Sequence, residues 1–474
     1  MTTAIWWIRR DLRLAENQAL TTALAQAEQV VPVFVLDSAL LESPHASDRR
    51  AAFLLGGLRQ LSGDLQTRGS RLVIRRGDPL IELRALLDET DADHIFAEED
   101  YSRYAHQRDA RISAALPLHL IGGLTVHPPG SVLKTDGEPY TVFTPFSRAW
   151  KILPLPSEGD LLAAPGVLPA VPDAPSLPIP ESTALTANVH FPPGESEAQR
   201  RLDGFVDPAD GPIYGYAEGR NRLDQEGTSQ LSPYLRFGMI SPRRAVVSAL
   251  AAADVATNAW ERKAAETWLN ELIWREFYIH ILHHFPHVSE SSFRPEYDRI
   301  AWENDWDTFA AWCEGQTGYP VVDAAMRQLV ETGWMHNRAR MIVASFLVKD
   351  LLIDWRWGER FFMRQLVDGD PAANNGGWQW TAGTGTDAAP YFRVFNPILQ
   401  GKKHDPNGTF VRRWLPELTH VPHKHLHSPW EMPRDAQKSA GCIIGKDYPS
   451  PIVDHAWARE RTLAAYRLAR ERRD

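Results

Sequence analysis

Apolar runs of strand length crowd the first 130 residues and then all but vanish. IWWIRR (5–10), VVPVFVLD (30–37), RLVIRRGD (71–78), DHIFAEED (93–100) and LHLIGGLTVH (118–127) are separated by helix-like stretches such as NQALTTALAQA and RRAAFLLGGLRQLSGDLQTRG. Alternation of this kind predicts a parallel, doubly wound α/β sheet, whose strands bury both faces under the crossover helices. Ligands of such sheets gather at the carboxyl ends of the strands, here near Arg9, Arg10 and Asp37. No GxGxxG follows the first strand, so a dinucleotide fingerprint is absent.

The pattern changes after residue 153. LPLPSEGDLLAAPGVLPAVPDAPSLPIP is rich in proline and has no period, which reads as a linker crossing the surface; the preceding TVFTPFSRAWKIL (141–153) reads as ordered. From about 199 onward the spacing is helical, in AWERKAAETWLNELIWREFYIHILHHF (259–285), PVVDAAMRQLVETG (320–333), RMIVASFLVKDLLI (340–353) and a terminal ARERTLAAYRLARERR. The expected organisation is an α/β domain over 1–130, a linker over 131–198 and an all-α domain over 199–474, two domains being the prior for 474 residues. No apolar run is long enough to span a bilayer, and MTTAIWWIRRDLRL reads as a first strand rather than a signal peptide. Cys313 and Cys442 give neither a disulfide framework nor a metal spacing, so a reducing cytoplasm is the expected compartment.

Several segments carry possible chemistry. In GTSQLSPYLRFGMISP (227–242), Gly227, Thr228, Ser229 and Ser232 offer hydroxyls and backbone donors before a helix. They suit a phosphate, although a plain N-cap is the simpler reading of the segment alone. On the helix of TWLNELIWREFY, Glu271 shares a face with Trp274 and Arg275. Either a surface ion pair beside core indoles or a cavity wall fits that spacing. GWMHNRARMI sets Asn337, Arg338 and Met341 around one turn, with Arg340 a step away. The densest segment runs from Asp368 to Pro397 and holds Asp368, Asp370, the glycine-rich Asn374–Asn375–Gly376–Gly377, Trp378 and Trp380. The NNGG stretch reads as a turn. The two carboxylates could serve acid–base chemistry or pair with arginine, and no His spacing completes a metal site.

The net charge is −9, which argues mildly against nucleic acid, but a global sum can hide a basic face. Residues 390–427 set Arg393, Lys402, Lys403, Arg412, Arg413 and Lys424 against Asp405 and Glu417, with Tyr391, Phe392, Phe395, Phe410 and Trp414 interleaved. Phosphate binding and a merely solvated face are both open there.

Together, WWIRRDLRL, GTSQLSPYLRFG, WLNELIWREFY, WMHNRARM and DGDPAANNGGWQW resemble the photolyase/cryptochrome family in order and separation, across almost the whole chain, and most closely its class I cyclobutane pyrimidine dimer branch. The resemblance implies an α/β antenna domain and an all-α FAD-binding domain. It places Tyr216, Thr228, Ser229, Gln230, Leu231 and Ser232 on the FAD phosphates and ribityl chain. Asp368, Gly369 and Asp370 fall beside the isoalloxazine and adenine, with Arg340 paired to the first aspartate and Asn374 facing flavin N5. Glu271, Trp274, Asn337, Met341 and Trp380 match the lesion pocket, and Arg220, Glu271, Trp274, Arg275, Tyr278, Asn337, Arg338 and Gln400 match DNA-contacting positions. Trp378, Trp355 and Trp302 match the electron-transfer chain that photoreduces FAD. The implied reaction is light-driven splitting of a flipped-out cyclobutane dimer in ultraviolet-damaged DNA. Met341, where (6-4) enzymes place a second histidine, points to that lesion, and Asn374, Trp274 and Trp380 speak for repair against a blue-light receptor. A second antenna chromophore is expected, a methenyltetrahydrofolate or a deazaflavin, for which Asp100 and Arg236 could suit the latter. No membrane and no obligate protein partner are expected, and the chain should be a monomer.

Overall fold

The computed structural model describes residues 2–43, 46–181 and 190–471. Within them the chain forms two compact units. The first comprises the described residues among 1–214, 229–286 and 367–372, and the second those among 215–228, 287–366 and 373–474.

The first unit is built on a five-stranded parallel sheet of β1 (Thr3–Ile8), β2 (Gln29–Asp37), β3 (Val73–Gly77), β4 (His94–Glu99) and β5 (Leu118–Gly123), in the order β3-β2-β1-β4-β5. Each predicted run supplies one strand. Central β1 is buried at every position, whereas β5 at the edge has only half-buried and exposed residues. Covering both faces therefore selects continuous apolar sequence in the middle and tolerates polar residues only at the rim. Trp6 and Trp7 are fully enclosed, each contributing roughly 2–3 kcal/mol by burial. Trp7 is flanked by the guanidinium carbons of Arg9 and Arg108, 4.7 and 4.8 Å from its ring. The proline-rich stretch is strapped down rather than loose. Arg68 donates to the Pro165 carbonyl, Arg71 to those of Pro172 and Ala174, and the Leu177 amide to Ile74. The helices Phe143–Ile152, Pro242–Val255 and Ala259–His284 complete this unit.

The second unit is helical. Its core gathers Trp312, Met326, Ile342, Phe346, Trp355, Phe362, Trp378, Phe410 and Trp414 from six α-helices and one π-helical turn. The Asn337–Ser345 helix passes into a π-helical turn, Phe346–Asp350, and the Trp355–Gln365 helix follows. The terminal His455–Glu471 helix docks through Tyr466, whose hydroxyl donates to the Ala382 carbonyl while its ring lies 3.7 Å from the Lys349 ammonium. Among the described residues no helix is long and apolar enough to cross a membrane.

One expectation fails here. Asn374–Asn375–Gly376–Gly377 is not a turn but lies inside the Pro371–Ala382 helix. Tertiary contacts override the poor helix propensity of NNGG. Asp370 accepts from the Ala372 amide and so opens the helix. The Asn375 and Gln379 side chains, one turn apart, both donate to the Val288 carbonyl and bond to each other. Gly358 leaves the space that Trp378 occupies, since a Cβ there would collide with the indole.

Candidate active-site residues

In the first unit, Asp370 is fixed from both sides. Arg10, just past β1, donates through Nη2 to Asp370 Oδ2 at 2.7 Å and through Nε to the Arg236 carbonyl at 3.0 Å. Arg236 in turn donates to the Gly369 carbonyl at 2.8 Å, 3.9 Å from the Asp370 carboxylate. Burial pulls the Arg236 guanidinium down to about 9, and Arg10 adds to the effect. Arg10 and Arg236 are set against two carboxylates, Asp370 and Asp100, so the charges in the cluster balance. Asp368 is buried and lies within electrostatic reach of Arg50, whose own guanidinium burial lowers to about 10. Asp100 and Arg236, expected to suit an antenna deazaflavin, are instead committed to this cluster. Asp100 accepts from Arg10 and from the Ser102 amide, and although burial opposes its charge, those partners hold the carboxyl below its usual range. Ser229, Gln230, Leu231 and Ser232 form the approach to the Ser232–Phe237 helix. Gln230 there takes a left-handed backbone at φ 51°, and Ser232 is exposed. No side chain caps that helix, so the plain N-cap reading fails.

The Ala259–His284 helix carries Glu271, Trp274, Arg275 and Tyr278. Trp274 stacks on Phe143 with ring centroids 3.7 Å apart and planes 5° apart, and Tyr278 leans on it at 5.5 Å. Glu271 is half-buried on the same face. Arg275 departs from its expected DNA contact. Its guanidinium donates to the Leu124 and Leu235 carbonyls, so it braces this helix inside the unit. Next to it Glu276, which sequence reasoning passes over, accepts from the Trp150 indole and the Val126 and His127 amides, and burial pushes its carboxyl up to about 7.

Elsewhere in this unit a cavity of about 370 Å³ opens at the carboxyl ends of β2 and β3. It is lined by Asp37, Gly77, Asp78, Tyr104, Arg108 and Arg111 among others. Asp37 is one of the residues singled out by its place at a strand end, and its carboxylate accepts from the Tyr104 hydroxyl.

In the second unit, Asn374 donates through Nδ2 to the Glu359 carbonyl at 3.1 Å, and among the described residues its Oδ1 accepts no hydrogen bond. Beside it the Glu359 carboxylate accepts from Asn375, and burial pushes that acid up to about 7. Trp378 is buried against Phe362, Trp355 is wholly enclosed in the same core, and Trp302 sits at the core's margin, edge-on to Tyr466. Trp380 is half-buried two positions beyond Trp378.

A basic group gathers around Asn221. Arg338 donates to its side-chain oxygen at 2.5 Å, and His404 meets its carbonyl at 2.7 Å. Arg220 lies over the buried Tyr216 ring at 5.8 Å. Asn337 is exposed and touches Met341 through its amide, 3.9 Å from the sulfur; Arg340 donates to the Met335 carbonyl. His336 caps this helix, accepting the Arg338 amide on Nδ1, and burial together with the Arg338 and Arg340 cations pulls its imidazole down to about 3. Thr228 follows Gly227, where the backbone passes so close to Gly219 that a Cβ would meet its carbonyl oxygen at 2.9 Å. Gln400 is half-buried on the Pro397–His404 helix, ahead of exposed Lys402 and Lys403.

The 390–427 stretch divides. Arg393, Lys402, Lys403, Arg413 and Lys424 are exposed, but Arg412 is spent on the Asn407, Thr419 and Val421 carbonyls, and Phe395, Phe410 and Trp414 are core residues. No cluster of potential metal ligands exists among the described residues.

Comparison with known proteins follows the same outline. Residues 4–163 match the family model described as DNA photolyase, and residues 268–468 that described as the FAD binding domain of DNA photolyase. The chain is 42% identical to the deoxyribodipyrimidine photo-lyase of Escherichia coli strain K12, over 99% of this chain and 100% of the relative. A solved bacterial class III photolyase from Agrobacterium tumefaciens matches with a TM-score of 0.92 and 40% identity, covering 99% of this chain and 98% of that one. A cryptochrome from Synechocystis matches with a TM-score of 0.89 at 28% identity, over 98% and 99% of the two chains.

Proposed function

The chain belongs to the DNA photolyase family, and on that premise we propose that it splits cyclobutane pyrimidine dimers in ultraviolet-damaged DNA with the energy of absorbed light. End-to-end identity with a deoxyribodipyrimidine photo-lyase carries this reading.

The chain's own groups fit a flavin dinucleotide. In the first unit Arg10 and Arg236 hold Asp370 in place, and in the second Thr228 carries a hydroxyl next to a backbone crossing that only glycine allows. Asn374, anchored by its amide nitrogen, keeps a carbonyl oxygen for an N–H donor, as a reduced flavin ring presents. When bound, the flavin supplies the photoexcited electron. The protein supplies position and electrostatics. Tyr216, Thr228–Ser232, Arg340, Asp368, Gly369, Asp370 and Asn374 are assigned to its binding.

For the substrate, Trp274 offers a flat apolar face held rigid by the Phe143 stack, and Glu271 on the same helix offers a carboxyl to a base. In the second unit Asn337, Met341 and Trp380 are assigned to the lesion. Arg220, Arg338 and Gln400 are assigned to flanking phosphates, with Lys402 and Lys403 beside them. A dimer stacked inside a duplex is out of reach, so it must be extruded, as in photolyases and other enzymes that do chemistry on a base. Trp378, Trp355 and Trp302 are assigned to electron supply from the surface.

The functional division follows the sequence, with an antenna region over 1–130, a connecting region over 131–198 and a flavin- and DNA-binding region over 199–474. The cavity at the ends of β2 and β3 is of a size that holds a small chromophore, a folate or a deazaflavin. Competition binding separates repair from light reception through a protein partner. A dimer-containing oligonucleotide should compete far better than its undamaged counterpart, and equal competition would contradict a lesion pocket.

A further inference from the structure

Two helices of the first unit, Phe143–Ile152 and Ala259–His284, meet along one seam. Phe143, Phe146 and Trp150 recur at helical spacing on the shorter one. At its start Phe143 lies flat on Trp274. One turn on, Phe146 packs against Phe277 with centroids 5.2 Å apart. Near its end the Trp150 indole donates to the Glu276 carboxylate at 2.6 Å, and Lys151 donates to Asn270 at 2.8 Å. A helix of 10 residues is marginal by itself, and Val142 gives this one no side-chain cap, so contacts across the seam hold it. Glu276 is 4% exposed, and its two oxygens take the Trp150 indole and the Val126 and His127 amides, all from outside its own helix. Beside it Arg275 donates to the Leu124 carbonyl, so consecutive residues grip the 124–127 segment. Stability alone does not call for an ionisable group here, because an apolar side chain would fill the seam without the cost of desolvating a carboxylate. What the carboxylate adds is direction. Its oxygens accept along fixed lines, which sets where Trp150 sits and with it the roll of the whole Phe143–Ile152 helix.

We propose that Glu276, Trp150 and Phe143 are positioning residues for Trp274, fixing the plane of its indole before a base reaches it. The proposal rests on the assignment of Trp274 to the lesion pocket. Phe143 is the plate: its ring is 3.7 Å from the indole and within 5° of parallel, while Phe277 closes on the indole edge-on and Tyr278 leans at 35°. Among the described residues no other ring lies parallel to Trp274, so the stack takes one face of the indole and leaves the other to a flat ligand. Glu276 acts at a distance, by holding Trp150 and so the helix that presents Phe143. An indole already held in its bound orientation loses no further freedom when a base stacks on it. A loose one has to be immobilised by the binding event, which weakens binding about threefold to tenfold.

The test measures, in the dark, the affinity of the flavin-loaded protein for an oligonucleotide bearing one cyclobutane thymine dimer and for its undamaged counterpart. The ratio of the two is compared in W274A, F143L, W150F and E276Q, and in the double variants W274A/F143L and W274A/E276Q. W274A should lower the preference for the dimer by about tenfold or more, as expected for a lost stack on a base. F143L, W150F and E276Q should each lower it by about threefold to tenfold. E276Q keeps the size of the side chain but turns an N–H donor toward one of its three donors. Because these residues act through Trp274, adding F143L or E276Q to W274A should lower the preference no further. A wild-type preference in F143L and E276Q, with only the denaturant midpoint reduced, would make the seam purely structural and overturn the proposal while leaving Trp274 in place. A double variant that loses as much again as the single one would overturn it too. A wild-type preference in W274A would overturn the assignment of Trp274, and the positioning role with it. Glu276 is buried, so F143L and W274A/F143L provide the same comparison at a half-buried position should E276Q not fold.

Discussion

Single side chains carry the sharpest consequences. Trp378→Phe should slow photoreduction yet leave repair by chemically reduced enzyme largely intact, because its proposed part is electron supply and not contact with the dimer. Loss of repair in the prereduced variant would contradict that role. Glu271→Ala should lower repaired dimers per absorbed photon, with flavin content unchanged; an unaltered yield removes Glu271 from the lesion. His336 makes a prediction about pH. Its imidazole is held down to about 3, against an unfolded value near 6.5, so the unfolded chain binds the extra proton between those limits. The stability that this residue contributes is complete above about 6.5 and falls as pH drops toward 3. Protonation also removes the Nδ1 acceptor that caps the helix. Asn caps helices without titrating. Between pH 7 and 5, wild type should therefore lose up to about 2 kcal/mol more than His336→Asn in urea denaturation. Parallel pH profiles would contradict the burial argument.

At the scale of elements, the packing of the Trp355–Gln365 helix on the Pro371–Ala382 helix turns on Gly358. Gly358→Ala drives a methyl into the Trp378 ring, where neither helix can yield cheaply. A loss of roughly 1–3 kcal/mol is expected for such overpacking, measured by denaturant midpoint, together with slower photoreduction as Trp378 shifts. The same pair of helices marks where sequence and structure part. Every strand and the long helices are legible, because burying one face of a helix imposes a period and burying both faces of a strand imposes a short continuous apolar run. NNGG misleads because its helix is held by Val288 and Glu359, contacts that local propensity does not encode. The same limit applies to Arg10 and Asp370, whose ion pair joins residues 360 positions apart in sequence. Arg275 and Arg412 look like phosphate ligands by type, but backbone carbonyls claim them.

For the whole molecule, a net charge of −9 does not prevent a basic surface on one part of it. Lys402 and Lys403 are exposed at the end of the helix that carries Gln400. Replacing both by Ala should reduce the slope of log affinity for dimer-containing DNA against log salt by about 1–2, since each phosphate contact contributes just under 1. An unchanged slope would place the phosphates elsewhere. The most direct measurement of the proposed activity uses an oligonucleotide bearing one cyclobutane thymine dimer, mixed with the protein carrying reduced flavin. Under blue light each dimer should return to two intact thymines, with none restored in the dark. A dimer that survives illumination while the flavin remains bound and reduced would contradict the proposed function.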